Sequence, residues 1–150
     1  MLRLPTFLST VSLISVLIFS MFLSAAANRN RSKTFEILAA KMTSAVDEKR
    51  MPADVRTEFP AETQEVHCWF SWKGMEGNLQ VIAQWYFVSS SIPILILDYP
   101  LNLTRVADHG IVSLKMPSGK NFPPGAYRLD FKIKDRAVKS LSFKVLPDSR

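Results

Sequence analysis

Apolar and polar side chains alternate one by one along several stretches of the chain that follow residue 34. The alternation is clearest in residues 65–73 and residues 79–87. Its apolar members are Val66, Cys68, Phe70, Trp72, Leu79, Val81, Ala83, Trp85 and Phe87. Because successive side chains of a β-strand point to opposite faces, this pattern predicts two strands with one buried face each. Gly74 and the Gly77-Asn78 pair predict the turn between them.

The C-terminal third of the chain predicts a hairpin with the same period of two residues. Its apolar side consists of Tyr127, Leu129, Phe131, Ile133, Leu141, Phe143 and Val145. Residues 135–136, Asp-Arg, predict the turn of this hairpin, and Pro147 predicts the end of its second strand. Residues 121–125, Asn-Phe-Pro-Pro-Gly, make the entry to the first strand rigid.

Two shorter apolar runs, residues 94–97 and residues 111–116, predict further strands. Turn signals separate them, with Asp-Tyr-Pro at residues 98–100 and Asp-His-Gly at residues 108–110. Short strands divided by turns at this spacing are typical of a β-sandwich or a barrel. The body of the chain therefore predicts an all-β fold.

Residues 35–46 fit two structures. Phe35, Leu38, Met42 and Ala45 lie on one helical stripe, and the alanines favour a helix. An opening strand is the alternative, and it is the one we prefer.

The N-terminal segment predicts that the chain is exported. Residues 7–27 contain no charged side chain and match the roughly 20 apolar residues that span a bilayer. Ala25 and Ala27 form a small-residue cleavage signal, so residues 1–27 are a signal peptide or an uncleaved membrane anchor. Residues 28–33 form a basic spacer, and its cations oppose export of the C-terminal side. We expect a periplasmic, cell-surface or secreted protein, membrane-anchored if residues 7–27 are retained.

Three short motifs in the body resemble those of a known fold family. They are Ala-Gln-Trp-Tyr at residues 83–86, Pro-Pro-Gly-Ala-Tyr at residues 123–127 and Phe-Lys-Val at residues 143–145. The chain from about residue 35 to residue 146 resembles the immunoglobulin-like or fibronectin-III-like β-sandwich modules of exported bacterial proteins. The resemblance implies a single antiparallel sandwich at residues 34–147, followed by a tail at residues 148–150.

The same resemblance assigns roles to individual segments. It implies that residues 35–46 are the opening strand and that residues 51–60 cross to the next strand. Tyr127 corresponds to the tyrosine corner of these domains, and Trp85 corresponds to their core tryptophan. The inter-sheet disulfide of antibody domains is missing, because Cys68 is the only cysteine among the 150 residues. A lone cysteine is compatible with a bacterial periplasm or cell surface.

The residues that carry most enzyme chemistry do not cluster in this sequence. His67 and Cys68 are neighbours on a predicted strand and point to opposite faces, so they cannot share a ligand sphere. We expect Cys68 to fill the core and His109 to lie in a turn. The chain contains no glycine-rich phosphate loop, no nucleophile with a local signature and no paired carboxylates in a recognisable frame. We therefore predict a protein that is not an enzyme and has no catalytic, metal or cofactor site.

Two groups of outward-facing residues are candidates for a binding surface. Trp69 and Tyr86 fall on the register opposite the core and can stack on sugar rings or anchor a partner, although packing beneath a neighbouring segment is the alternative. The closing hairpin presents a basic face of Arg128, Lys132, Lys134 and Lys144. Such a face can meet an acidic surface, or it can simply be solvated and discourage edge pairing.

These features lead to three hypotheses about function. The first is a non-enzymatic binding module of the bacterial cell envelope that contacts a protein partner. The second is a carbohydrate-binding sandwich that uses Trp69 or Tyr86 to bind a glycan. The third is a membrane-anchored accessory subunit of a larger envelope complex. Nucleic-acid binding is not expected, because the net charge falls from +6 for the chain to only +5 without residues 1–27.

Overall fold

The structure is a computed structural model that describes residues 34–74, 77–89 and 91–148. The predicted signal or anchor segment, residues 1–27, and the basic spacer, residues 28–33, lie outside the described residues. The described ranges contain eight strands. They are β1 (Glu36–Thr43), β2 (Glu58–Phe59), β3 (Glu65–Lys73), β4 (Leu79–Phe87), β5 (Ile94–Leu103), β6 (Ala107–Lys115), β7 (Gly125–Ile133) and β8 (Arg136–Val145).

The strands form two sheets. One has the order β1-β3-β6, and the other has the order β2-β8-β7-β4-β5. All paired strands run antiparallel except β2 and β8, which share a short parallel pair. In the immunoglobulin strand nomenclature, β1, β3 and β6 take the places of A, B and E, and β8, β7, β4 and β5 take those of G, F, C and C′. The predicted immunoglobulin-like β-sandwich is therefore confirmed for the described residues.

The segments with alternating apolar and polar side chains form the strands that this pattern predicts. β3 and β4 occupy residues 65–73 and 79–87, and the opening segment is the strand β1 rather than a helix. In β3 every second residue from Val66 to Trp72 is buried. Among the described residues, no helix is long and apolar enough to cross a membrane.

Both predicted turns in the middle of the chain were wrong. Residues 98–100 lie inside β5, where Pro100 is tolerated because β5 is the edge strand of its sheet. Residues 108–110 lie inside β6, which pairs with β3 along its length. Gly110 is opposite Phe70, and a Cβ on Gly110 would lie 3.1 Å from the Phe70 ring. The glycine thus makes room for a core side chain instead of forming a turn.

Aromatic side chains fill much of the core between the two sheets. Phe70 of β3 packs on Phe131 of β7 with ring centroids 4.7 Å apart. Tyr127 stacks on Phe143 at 5.0 Å, and the same Phe143 ring meets the edge of Trp85 at 6.1 Å. All five side chains are at most 2% exposed. Such contacts add to the free energy of burial, so they hold the sandwich together.

Tyr127 forms the tyrosine corner that the sequence predicts. Its hydroxyl donates a hydrogen bond of 2.6 Å to the backbone carbonyl of Pro123, four residues upstream. Burial raises the pKa of Tyr127 to about 12, so the hydroxyl keeps its proton at neutral pH. The bond ties the rigid entry segment to the first strand of the closing hairpin.

Replacing Tyr127 with Phe removes this hydrogen bond and leaves the Pro123 carbonyl without it. We expect the free energy of unfolding to fall by about 1 kcal/mol, the usual net value of one such bond. Urea unfolding followed by tryptophan fluorescence measures the change. The exposed Tyr99 gives a matched control, since Tyr99→Phe should leave the unfolding midpoint in place. Equal midpoints for both variants would contradict a role for the corner.

Gly125, at the start of β7, has a φ of 149° and no room for a side chain. A Cβ there would overlap the Ser89 hydroxyl and the Phe87 ring. The Ser89 hydroxyl in turn accepts a 2.5 Å hydrogen bond from the Ala126 backbone N–H. Glycine at this position therefore allows the chain to pass close to the end of β4.

We expect Gly125→Ala to destabilise the domain more than Gly119→Ala. Gly119 also has a positive φ, of 77°, but a Cβ on it meets nothing. The Gly119 variant should lose about 1 kcal/mol for the backbone conformation alone, and the Gly125 variant should lose more because of the overlap. Thermal unfolding of both variants measures the difference, and equal losses would refute the close approach.

Candidate binding surfaces

The structure divides the predicted binding residues between separate surfaces. Trp69 lies on the outer face of the three-stranded sheet, since its neighbours in β3 point into the core. The outer face of the five-stranded sheet carries Tyr86, Arg128, Lys132 and Lys144. Lys134 lies in the turn between β7 and β8. This turn begins one residue before the predicted turn at residues 135–136. Trp69 and Tyr86 are therefore on opposite sides of the sandwich and do not form one stacking platform.

Trp69 is half-buried and packs against its own sheet. Its ring stacks on His109 of β6 with centroids 6.1 Å apart and an interplanar angle of 29°. The indole Nε1 is buried and has no hydrogen-bond partner among the described residues. His109 was predicted in a turn, but its position in β6 places it beside the tryptophan. One face of the Trp69 ring is thus already occupied.

Tyr86 is also half-buried, and two cations lie over its ring. The guanidinium carbon of Arg128 is 4.9 Å from the ring centroid, and the Lys132 ammonium is 5.8 Å from it. The Tyr86 hydroxyl donates a 2.7 Å hydrogen bond to Oε1 of Gln84. A sugar that stacked on Tyr86 would therefore compete with these cation–π contacts.

The basic face is partly neutralised within the domain. Arg128 Nε donates a 3.1 Å hydrogen bond to Oδ2 of Asp130, a residue that is only 5% exposed. Lys144 is exposed and lies in register with Glu58 of β2. Lys134 is exposed in the hairpin turn, with a positive φ of 54°. The four cations therefore have different environments and do not form a single uniform surface.

Cys68 lies in the core, as predicted. It is fully buried, and this burial raises the pKa of its thiol to about 12. His67 points to the other face, where its Nδ1 is 2.7 Å from the Ser113 hydroxyl. In the described part of the chain, no group of three or more His, Cys, Asp or Glu side chains could hold a metal ion.

The burial of Cys68 predicts that its thiol is inert in the folded protein. A thiol needs access and its thiolate form to react. We expect a maleimide or a disulfide reagent at pH 8 to label native Cys68 roughly a thousand times more slowly than a free thiol. Labelling in concentrated guanidinium chloride is the control and should be complete. Rapid labelling under native conditions would show that the core opens at β3.

A surface that the sequence patterns did not indicate lies at the edge strand β5. Its outer edge pairs with no strand in the ranges that the structure describes. Four large apolar side chains are exposed there, namely Ile94 (55%), Leu95 (47%), Ile96 (40%) and Tyr99 (51%). The signal in the sequence was the run Ile-Leu-Ile-Leu without alternation, followed by Pro100. Apolar residues on both faces beside a proline fit an exposed edge as well as a buried strand.

An apolar crevice lies next to this edge. It has a volume of about 200 Å³. Its lining consists of Phe87, Ile94, Ile96, Met116, Phe122, Pro123 and Tyr127. Because Ile94 and Ile96 are themselves exposed residues of β5, the crevice opens at the edge of the sandwich. A bulge in the pairing of β4 with β5, at Trp85 and Tyr86, turns Ile96 toward it.

Comparison with known proteins supports the fold and does not define a closer family. No protein-family model matches the chain, and no curated protein matches it. An immunoglobulin-like protein from Pseudomonas aeruginosa is similar in structure, with a TM-score of 0.55 and 15% identity over 77% of this chain and 99% of that one. The described domain thus has an immunoglobulin-like fold.

Two other solved structures are also similar to this chain. A Niemann-Pick type C2 protein from the Japanese carpenter ant has a TM-score of 0.44 and 14% identity, over 77% of this chain and 94% of that one. The alkylpurine DNA glycosylase AlkC of Pseudomonas fluorescens has a TM-score of 0.50 and 9% identity. The match covers 83% of this chain and 33% of the glycosylase. At 9% identity the likeness to the glycosylase concerns the fold alone.

Proposed function

We propose that this domain is a non-enzymatic binding module that contacts a protein partner through the outer edge of β5. The observation that carries the proposal is the exposed apolar edge strand. Its unpaired backbone groups and its apolar side chains are the two elements that an added strand uses, in the binding mode called β-augmentation.

Edge strands with these properties are usually protected. Natural proteins place lysines, prolines or bulges on them, because an exposed apolar edge pairs with other chains. β5 contains no lysine or arginine. Pro100 removes one backbone donor, and the bulge at Ile96 bends the strand, but the segment from Ile94 to Tyr99 still exposes its apolar side chains. A partner that covers this segment would remove an exposed apolar patch from water.

The β5 edge offers a larger gain from binding than the basic face does. Burying the exposed half of an isoleucine or leucine is worth on the order of 1 kcal/mol. Burial of four large apolar side chains and several new backbone hydrogen bonds would together contribute more to the binding free energy than a few exposed ion pairs. Each exposed ion pair contributes at most about 1 kcal/mol. The basic face is a weaker candidate, because Arg128 and Lys132 are already engaged with Asp130 and Tyr86.

We place this module in the bacterial cell envelope, facing an extracytoplasmic space. This part of the proposal rests on the sequence of residues 1–27, with their uncharged apolar stretch and small-residue cleavage signal. If that segment is retained, it would hold the domain at the membrane as an accessory subunit. The mass of the protein isolated from its host distinguishes the two forms, since cleavage after Ala27 gives a chain that begins at Asn28.

The double variant Leu95→Lys, Tyr99→Lys tests the edge directly. Both side chains are exposed, so the fold should tolerate the change, and lysines on an edge oppose the addition of a strand. We expect recovery of the specific partner from an envelope extract to fall by about tenfold or more. Affinity capture followed by quantitative mass spectrometry measures recovery.

Two variants of the basic face serve as matched controls. Lys144→Glu and Lys134→Glu change exposed cations that lie away from β5, and partner recovery should stay at the level of the unmodified protein. Urea unfolding curves show whether each variant is folded. If the basic-face variants lose the partner and the edge variant keeps it, the binding surface is the basic face and the proposed edge is wrong.

A further inference from the structure

We infer that the partner segment is an extended peptide strand that is apolar at alternate positions and carries a lysine or arginine opposite Asp98. This inference rests on the proposed function, because it specifies the chemistry of what the β5 edge binds. Three features of the edge lead to it: the single charge of β5, the apolar side of the strand and the crevice beside it.

Asp98 is the only charged residue of β5, and it lies near the middle of the strand. It is exposed and pairs in register with Gln84, which places its carboxylate on the outer face of the sheet. Among the described residues, no cation lies within ion-pair distance of Asp98. The carboxylate therefore depends on solvent in the free protein.

An added strand would change the environment of this carboxylate. A residue directly opposite Asp98 would have its Cβ about 5 Å away, near enough for an opposite charge to stabilise the pair and for a like charge to oppose it. An apolar residue there would remove water from a charged group without replacing it. Charge complementarity thus selects a lysine or arginine at this one position of the partner.

The neighbouring positions of the added strand would face the other side of the sheet. On that side Tyr99 is 51% exposed, and Ile94 and Ile96 border the crevice. A cavity of about 150 Å³ holds a benzene molecule, so the crevice of about 200 Å³ has room for one side chain of the size of leucine or phenylalanine. Because strand side chains alternate, every second residue of the partner is apolar.

A second copy of the chain fits this edge less well. Two β5 strands paired antiparallel would bring no cation to Asp98, since residues 94–103 contain no lysine, arginine or histidine. Each carboxylate would face an apolar residue, an asparagine or the other carboxylate. The strand therefore favours a different chain that supplies the missing positive charge.

Selection of phage-displayed random twelve-residue peptides tests this inference. The protein is immobilised in the form in which its host processes it, and bound peptides are sequenced. We expect the enriched peptides to alternate apolar and polar residues and to carry lysine or arginine at one fixed polar position. The variant Asp98→Lys should instead enrich aspartate or glutamate at that position, because the charge of the edge is reversed.

The control variant is Asp135→Lys, which makes the same change of charge at an exposed residue of the β7–β8 turn. It should enrich the same cationic peptides as the unmodified protein. For one synthetic peptide from the selection, fluorescence anisotropy should show affinity about tenfold lower for Asp98→Lys and unchanged for Asp135→Lys.

Several outcomes would overturn the inference, and they differ from failure of the proposed function. Absence of enriched peptides, or peptides whose charge is the same for the unmodified protein and Asp98→Lys, would show that Asp98 does not select the partner. Sedimentation that shows a dimer abolished by Leu95→Lys with Tyr99→Lys would make the occupant a second copy. In either case the edge remains the proposed surface if the double-lysine variant still loses the envelope partner.

Discussion

The packing of three strands against five determines most of the surface of this domain. Phe70 and Phe131 place β3 against β7, and β1 packs near β8. The aromatic layer of Tyr127, Phe143 and Trp85 fills the space between these central strands. A three-stranded sheet cannot cover the full width of a five-stranded one, so an edge strand of the wider sheet is covered only in part. That strand is β5.

This incomplete cover explains why β5 differs from the other long strands. In β3, β4 and β7 the inward side chains are buried by the opposite sheet. In β5 only Leu103 is buried, and the apolar side chains nearer its start remain exposed or half-exposed. The crevice bordered by Ile94 and Ile96 lies at the start of the same strand. The exposed edge and the crevice are therefore neighbouring features of one partly covered strand.

The sequence predicts the strands that bury one face and expose the other. It predicts little about β5, which is mostly exposed. β3, β4, β7 and β8 follow the alternation, and Tyr127 follows its motif. β5 does not follow the alternation, because an edge strand that the opposite sheet covers only in part needs no alternation and tolerates Pro100. The predicted surroundings of Trp69 and Tyr86 were also incomplete, since their partners His109 and Arg128 come from strands that are distant in the sequence. Only the register between strands brings these pairs together.

The same register explains why the basic face is a poor match for an acidic partner. Asp130 is almost fully buried on that face and accepts a hydrogen bond from Arg128, which directs the guanidinium across the Tyr86 ring. Lys132 approaches the Tyr86 hydroxyl to 3.4 Å. An acidic ligand would have to compete with these internal partners for both cations, so part of its binding energy would be lost. The β5 edge has no such internal competitor, because no described residue pairs with its outer edge or forms an ion pair with Asp98.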